Sequence, residues 1–171
     1  MVPRPFKRAA MSRPQKPVQF YQAKTYNAEE SVGHLMKRIM VSVVYQVDRR
    51  LVEHDLTTAQ WGPLKHLQAN GGRSTVAELA RWSNSDAGAM TRLLDRLEKK
   101  GLCKRVRSTE DRRVVMVELT PEGEAALVHV PQVLSDVLNA HLAGFSKTEW
   151  QALKGYLTRM AETGDALRDG G

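Results

Sequence analysis

The chain contains a single cysteine, Cys103, among 171 residues. One thiol excludes an intrachain disulfide and leaves no cysteine pair for a zinc knuckle. A chain without a disulfide framework fits a reducing, cytoplasmic setting. Aromatic residues make up only 6% of the sequence. No apolar run approaches the ~18–20 residues of a membrane span. The basic N-terminal stretch is followed by no continuous apolar segment, so neither a membrane helix nor a secretory signal is expected. The five histidines (His34, His54, His66, His129 and His141) form no H-E-x-x-H pair. No nucleophile–base motif and no phosphate loop is present. An enzyme is therefore not expected, and neither a metal nor any other cofactor is called for.

Acidic residues are missing altogether from residues 1–27, which carry six Lys and Arg. Residues 73–113 carry eleven basic and six acidic groups, whereas residues 114–171 carry four basic and eight acidic. The net charge of +7 is thus concentrated in two places. A basic patch beside a neutral or acidic remainder is the electrostatic footprint of a phosphate-backbone binder, and equally of a surface that is merely solvated. Pro3, Pro5, Pro14 and Pro17 break up the first segment. Residues 1–27 are expected to form a basic, disordered arm, with one helical turn open to Val18–Lys24.

The spacing of Val32, Leu35, Met36, Ile39, Val43 and Leu51 predicts a long helix over residues 28–53. Met40, Val44 and Val47 widen its apolar stripe beyond one face, which suits a helix with more than one neighbour. Thr57 to Gln60 reads as a capping box that opens a second helix, stopped at Asn70-Gly71-Gly72. Thr75 to Glu78 is another such box, opening a short helix. After the Ser83-Asn84-Ser85 turn, Ser85 or Asp86 caps a further helix. There Met90, Leu93, Leu94 and Leu97 mark the inward face, and Gly101 is the stop. The outer face begins Ala87, Gly88, Thr91, Arg92: small residues that allow close approach to a groove floor, then a side chain that reaches a phosphate or a guanine edge. Leu102–Arg107 and Arg113–Leu119 read as the strands of a hairpin whose basic tip holds Arg107, Arg112 and Arg113, with Asp111 as a brace. Thr120-Pro121 starts a helix expected to run to Phe145 with a bend at Pro131. Ser146 to Glu149 is a third capping box, opening the last helix with Trp150, Leu153, Tyr156, Leu157 and Met160 on one stripe. The stripes of the terminal helices need burial that a second copy of the chain would supply.

The fold class expected is mainly α with a small β wing: a winged helix-turn-helix over residues 56–120, flanked by N- and C-terminal dimerisation helices at residues 28–55 and 121–171. Two copies would set their recognition helices about one DNA turn apart, ~34 Å.

The run Asp111-Arg112-Arg113, Val117, Leu119-Thr120 and Gly123 resembles the D-x-R…V-x-L-T-x-x-G wing signature of the MarR family of winged-helix transcriptional regulators. Thr91 to Leu102 resembles the end of that family's recognition helix, and Leu56 to Trp61 the start of its second helix. The resemblance covers roughly residues 29–168. It implies a homodimer built on the first, fifth and sixth helices of the family fold. It also implies repression at a pseudo-palindromic operator in double-stranded DNA, relieved by a small-molecule effector, often an aromatic acid. Carried over by position, the recognition contacts fall on Ser85, Asp86, Ala87, Gly88, Thr91 and Arg92, and the wing contact on Arg113. The arm before Ala28 and the Asp-Ala-Gly opening of the recognition helix depart from the commoner pattern and leave the operator sequence open.

Two further readings come from the residues themselves. Trp61 and His66, beside Arg49 or His54, supply the aromatic wall and cation that a carboxylate effector requires, though Trp61 equally suits a core position. Cys103 lies among Lys99, Lys100, Lys104 and Arg105, where positive charge would favour a thiolate. Strand alternation sets it opposite Lys104, where a buried, inert thiol is the alternative. If accessible, it could link two dimers into a dimer of dimers on oxidation. A redox-tuned regulator, a non-specific architectural DNA-binding protein and an interaction module that no longer binds DNA are the competing classes.

Overall fold

A computed structural model describes residues 18–108 and 114–170. The expected arm therefore lies outside the described residues up to position 17, as does the hairpin tip at positions 109–113. The chain divides into two compact units, Met1–Arg38 and Ile39–Gly171.

In the first unit, the expected helical turn over Val18–Lys24 is instead irregular chain followed by a turn, in which the Thr25 N–H donates to the Gln22 carbonyl at 3.0 Å. Helix α1 (Val32–Leu51) starts later than its apolar spacing suggests. Ser31 is the reason: its Oγ accepts from the His34 N–H at 3.1 Å, and Tyr21 Oη accepts from the Val32 N–H at 3.0 Å. These two side chains satisfy amide donors that a helix start leaves without partners.

In the second unit, Val43, Val47 and Leu51 of α1 are buried in one core. They join Leu64 and Leu67 of α2 (Thr58–Ala69), Leu79 of α3 (Val76–Trp82), and Met90, Leu94 and Leu97 of α4 (Ala87–Lys99). The expected Thr57–Gln60 capping box does not form, because Thr57 makes no side-chain cap. Asp48 of α1 takes over, its Oδ1 accepting the Thr58 N–H, and Gln60 is buried within reach of Lys100. A carboxylate is a stronger acceptor than a hydroxyl and favours the positive end of a helix, so the long-range partner wins. The boxes at Thr75–Glu78 and Ser146–Glu149 are both complete.

The sheet is antiparallel in the order β1-β3-β2, from β1 (Arg73–Thr75), β2 (Cys103–Arg107) and β3 (Val115–Leu119). Strand β1 leaves no mark in the sequence pattern: three residues are too few to show alternation. Gly71 and Gly72, at φ +71° and +83°, turn the chain into it. Beyond the sheet, the single bent helix expected to reach Phe145 is two helices, α5 (Pro121–Leu127) and α6 (Val130–His141). Pro131 has no N–H to return to residue 127, so the ladder breaks one turn earlier than a simple bend would require. The chain ends in α7 (Lys147–Asp169). No helix among the described residues is long and apolar enough to cross a membrane.

Candidate nucleic-acid interface

Helix α4 is strongly amphipathic. Met90, Leu94 and Leu97 are buried, and Leu93 packs at the edge of the core. The turn into it places Asn84 at φ +50°, a left-handed conformation that asparagine tolerates. Of the two expected caps it is Asp86 that closes the helix, its Oδ1 accepting from the Ala89 N–H at 2.8 Å, while Ser85 shares a 2.8 Å hydroxyl contact with Ser83. The other face carries Ser85, Asp86, Ala87, Gly88, Thr91 and Arg92, all exposed. A Cβ at Gly88 would sit 3.1 Å from the capping Asp86 oxygen, so glycine leaves the cap undisturbed as well as lowering the surface. The Thr91 hydroxyl donates to the Ala87 carbonyl at 2.8 Å and keeps its lone pairs for an outside donor. Arg92 has no carboxylate within 4.0 Å among the described residues.

The hairpin beside α4 is tied to it by one side chain that the sequence pattern does not single out. Arg105 of β2 donates from Nη1 to Asp95 Oδ1 at 2.7 Å and to Glu98 Oε2 at 2.8 Å. Its Nη2 reaches the Thr91 carbonyl at 3.1 Å, and its backbone N–H donates to Glu98 Oε1 at 2.8 Å. Partial burial works against its charge, but Asp95 and Glu98 outweigh that and raise its pKa. A planar fork gripping two carboxylates and a carbonyl fixes orientation as well as distance. At the C-cap of α4, Lys100 Nζ binds Asp55 Oδ1 at 2.8 Å and its carbonyl at 2.7 Å, holding the helix to the turn before α2. Helix and wing strand thus present one rigid surface. Arg107 is exposed at the end of β2, opposite Val115. The tip residues Asp111, Arg112 and Arg113 lie outside the described residues.

Cys103 is 2% exposed, on the core side of β2, with Lys104 outside. Burial first, and Glu98 second, push its thiol up to about 11, against the opposing pull of Arg105. The charge that could have activated it is committed to Asp95 and Glu98, so at neutral pH the group is a thiol and not a thiolate. Folded protein should therefore leave Cys103 unmodified by Ellman's reagent over times that suffice for full reaction in urea. It should also run as a monomer after peroxide on a non-reducing gel. Equal rates folded and unfolded would overturn this reading of the burial.

The four residues offered for an effector site have separate surroundings. Arg49 lies over the Tyr45 ring at 5.8 Å. His54 stacks on His129, with ring centroids 4.2 Å apart and planes 6° from parallel. Trp61 packs against the core with its indole N–H buried and without a hydrogen-bond partner among the described residues, as is the Thr58 hydroxyl one turn earlier. His66 packs against Trp82 at 4.9 Å and helps line a cavity of about 450 Å³ with Arg73, Ser74, Glu78 and Arg81. In that cavity the Glu78 carboxylate lies below its usual range, because the Thr75 backbone N–H and then the Ser74 hydroxyl donate to it.

Residues 56–115 match the model of the MarR family. The chain is 28% identical to a cysteine-to-serine mutant of MarR from E. coli, solved in complex with operator DNA. That match covers 75% of this chain and 92% of that one, with a TM-score of 0.69. The reduced form of E. coli MarR is 27% identical, over 78% of this chain and 98% of that one, with a TM-score of 0.71. BpsR of Bordetella bronchiseptica, whose DNA binding is regulated by 6-hydroxynicotinic acid, is 25% identical. It matches over 80% of this chain and 96% of that one, with a TM-score of 0.70.

Proposed function

We propose that this chain, whose residues 56–115 match the MarR family model, works as a winged-helix transcriptional regulator of that family: a homodimeric repressor of a pseudo-palindromic operator, released by a small organic acid. The observation that carries the DNA-binding part is the outer face of α4. Its polar and small side chains are exposed, its arginine has no internal carboxylate partner among the described residues, and the helix is held from Thr91 to its C-cap so that it meets a groove as a rigid body. E. coli MarR bound to operator DNA supports the same role for the matching helix here.

The dimer is supported by what the isolated chain leaves bare. In α7, Trp150, Tyr156, Leu157 and Met160 are exposed on the stripe meant for a core, as are Ile39, Met40 and Tyr45 on α1. Apolar surface of that extent on two long helices is the mark of a subunit interface. The ligand part is supported by BpsR, whose DNA binding answers to 6-hydroxynicotinic acid.

Gel shifts on the DNA flanking the protein's own gene, against random DNA of equal length, test the reading. A specific operator should be bound ~10³-fold or more tighter than random sequence. Arg92→Ala should cost roughly 1–3 kcal/mol of operator affinity. A specificity ratio near one would favour an architectural protein, and an Arg92→Ala variant that shifts DNA unchanged would remove α4 from the interface.

A further inference from the structure

The cavity of about 450 Å³ between α2, β1 and α3 gathers charges that have no ion-pair partner among the described residues. Glu78 and Arg81 lie at i and i+3 on α3, a spacing at which opposite charges commonly close an ion pair. Here they stay more than 4.0 Å apart. The capping box turns Glu78 the other way. Its Oε2 accepts from the Thr75 N–H at 2.8 Å and from Ser74 Oγ at 2.8 Å, and Ser74 is only 4% exposed. The carboxylate is therefore fixed from the β1 side, with Oε1 left as an acceptor.

Arg73 is equally uncommitted. Its partner across the β1–β3 ladder is Glu118, but Lys104 Nζ, on the other neighbouring strand, takes that carboxylate at 3.3 Å. Arg73 and Arg81 are both exposed, and neither has a carboxylate within 4.0 Å among the described residues. Asn70 donates its amide to the His66 carbonyl at 2.7 Å, which leaves its Oδ1 as a second acceptor. The cavity thus offers two guanidinium groups, one carboxylate oxygen and one amide oxygen. Counting His66 as neutral, its lining carries one positive charge in excess.

We propose that this cavity binds an acidic α-amino acid. The ammonium group donates to Glu78 Oε1 and Asn70 Oδ1, the α-carboxylate takes Arg81, and the side-chain carboxylate takes Arg73. A zwitterion set between Glu78 and Arg81 gives each the opposite charge that the other does not supply. The charge set selects this class. A simple diacid satisfies both arginines but faces the Glu78 carboxylate. A phosphate dianion meets the same repulsion, and a polyamine meets two cations. A neutral amino acid leaves one guanidinium without an anion. No residue of the α4 outer face lines the cavity, so the amino acid and the operator make separate demands on the chain.

Isothermal titration of the full chain without DNA tests it. The probes are L-glutamate and L-aspartate, each beside its amide (L-glutamine, L-asparagine) and beside the diacid that lacks the amine (glutarate, succinate). At least one of the two acidic amino acids should bind, ~10-fold or more tighter than its amide or its diacid. Glu78→Gln keeps the capping box, which glutamine also completes, and removes the charge. It should weaken the amino acid ~10-fold or more and leave the diacid unchanged or tighter, a contrast that mere loss of structure would not produce. Arg73→Met, at an exposed position on an edge strand, should weaken the amino acid and the diacid alike and leave the amide unchanged. The proposal is overturned if neither acidic amino acid binds up to millimolar concentration, or if the diacid binds as tightly as the amino acid. It is also overturned if Glu78→Gln weakens amino acid and diacid alike. Gel shifts on the same samples keep the two levels apart. Amino-acid binding by a chain that shifts no operator supports the cavity and retires the DNA-binding role alone. Operator binding that falls in Arg73→Met, with no heat from any of the six compounds, places Arg73 on the DNA backbone and retires the cavity alone.

Discussion

Replacing Gly123 by alanine should cost the fold a large share of its stability. The backbone of Gly123 is ordinary helix, so the demand is for space and not for conformational freedom. A Cβ there would collide with the Leu102 carbonyl oxygen and would lie 2.7 Å from Leu119 Cδ1. The first of these is backbone and cannot swing aside. It is also committed: the Leu102 carbonyl accepts the Thr120 N–H at 3.3 Å. Thr120 donates its hydroxyl to the Gly101 carbonyl at 2.6 Å and accepts the Gly123 N–H at 3.0 Å. The first turn of α5 is therefore seated directly on the end of α4 and the entry to β2. Making room for a methyl means lifting α5 from both. Such a shift should cost ~3 kcal/mol or more, a large part of the ~5–15 kcal/mol that holds a typical domain together. Thr120→Val keeps the shape and loses the cap, for about 1–2 kcal/mol. Urea titrations of the two variants beside wild type give the comparison. A Gly123→Ala midpoint close to wild type would show that the helix can slide, and would undo this account of the L-T-x-x-G segment.

That segment marks the boundary of what the sequence could disclose. Its residue pattern is readable, but the close approach that explains the glycine belongs to two elements far apart in the chain, Leu102 and the start of α5. Interactions that close within one helical turn are legible. The boxes at Thr75 and Ser146, the Asp86 cap and the left-handed Gly101, at φ +72°, all follow from neighbours three or four positions away. Sequence and structure part where a distant group outcompetes a local one. Thr57 has the right partner in sequence, but Asp48 supplies a carboxylate from the helix before. The start of α1 moves to Ser31 because a hydroxyl and Tyr21 satisfy the first amides there. The outer face of α4 can be read from periodicity alone. Arg105 cannot, because in the sequence it is one cation in a strand full of them. Its distinction is that Asp95 and Glu98 rise to meet it from one face of α4 at i and i+3. The contact between Ser42 and His141 is further out of reach, since the two lie 99 positions apart.

Arg105 is where the clamp can be told apart from direct contact with DNA. Arg105→Met removes two ion pairs and a carbonyl contact while keeping the length of the aliphatic stem. The ion pairs are partly solvated, so about 1–2 kcal/mol of folding stability is the expected loss. The larger effect should be on operator binding, which is expected to weaken ~10-fold or more, because a misplaced recognition helix forfeits several base contacts worth ~1–3 kcal/mol each. A positioning residue and a phosphate contact differ in their salt response. Each phosphate neutralised contributes about 0.9 to the slope of log affinity against log salt. Arg105 spends its charge on Asp95 and Glu98, so the Met variant should bind weakly with the wild-type slope. Arg92→Ala, if that side chain meets a phosphate, should lose about one unit of slope. Arg105→Lys keeps the charge and loses the fork, and should recover stability more fully than it recovers operator discrimination, because one ammonium cannot hold Asp95, Glu98 and the Thr91 carbonyl in a fixed plane. A slope that falls by about one unit in Arg105→Met would place the guanidinium on the DNA backbone instead. The geometry argues against that outcome, since both ends of the fork are occupied before any DNA arrives.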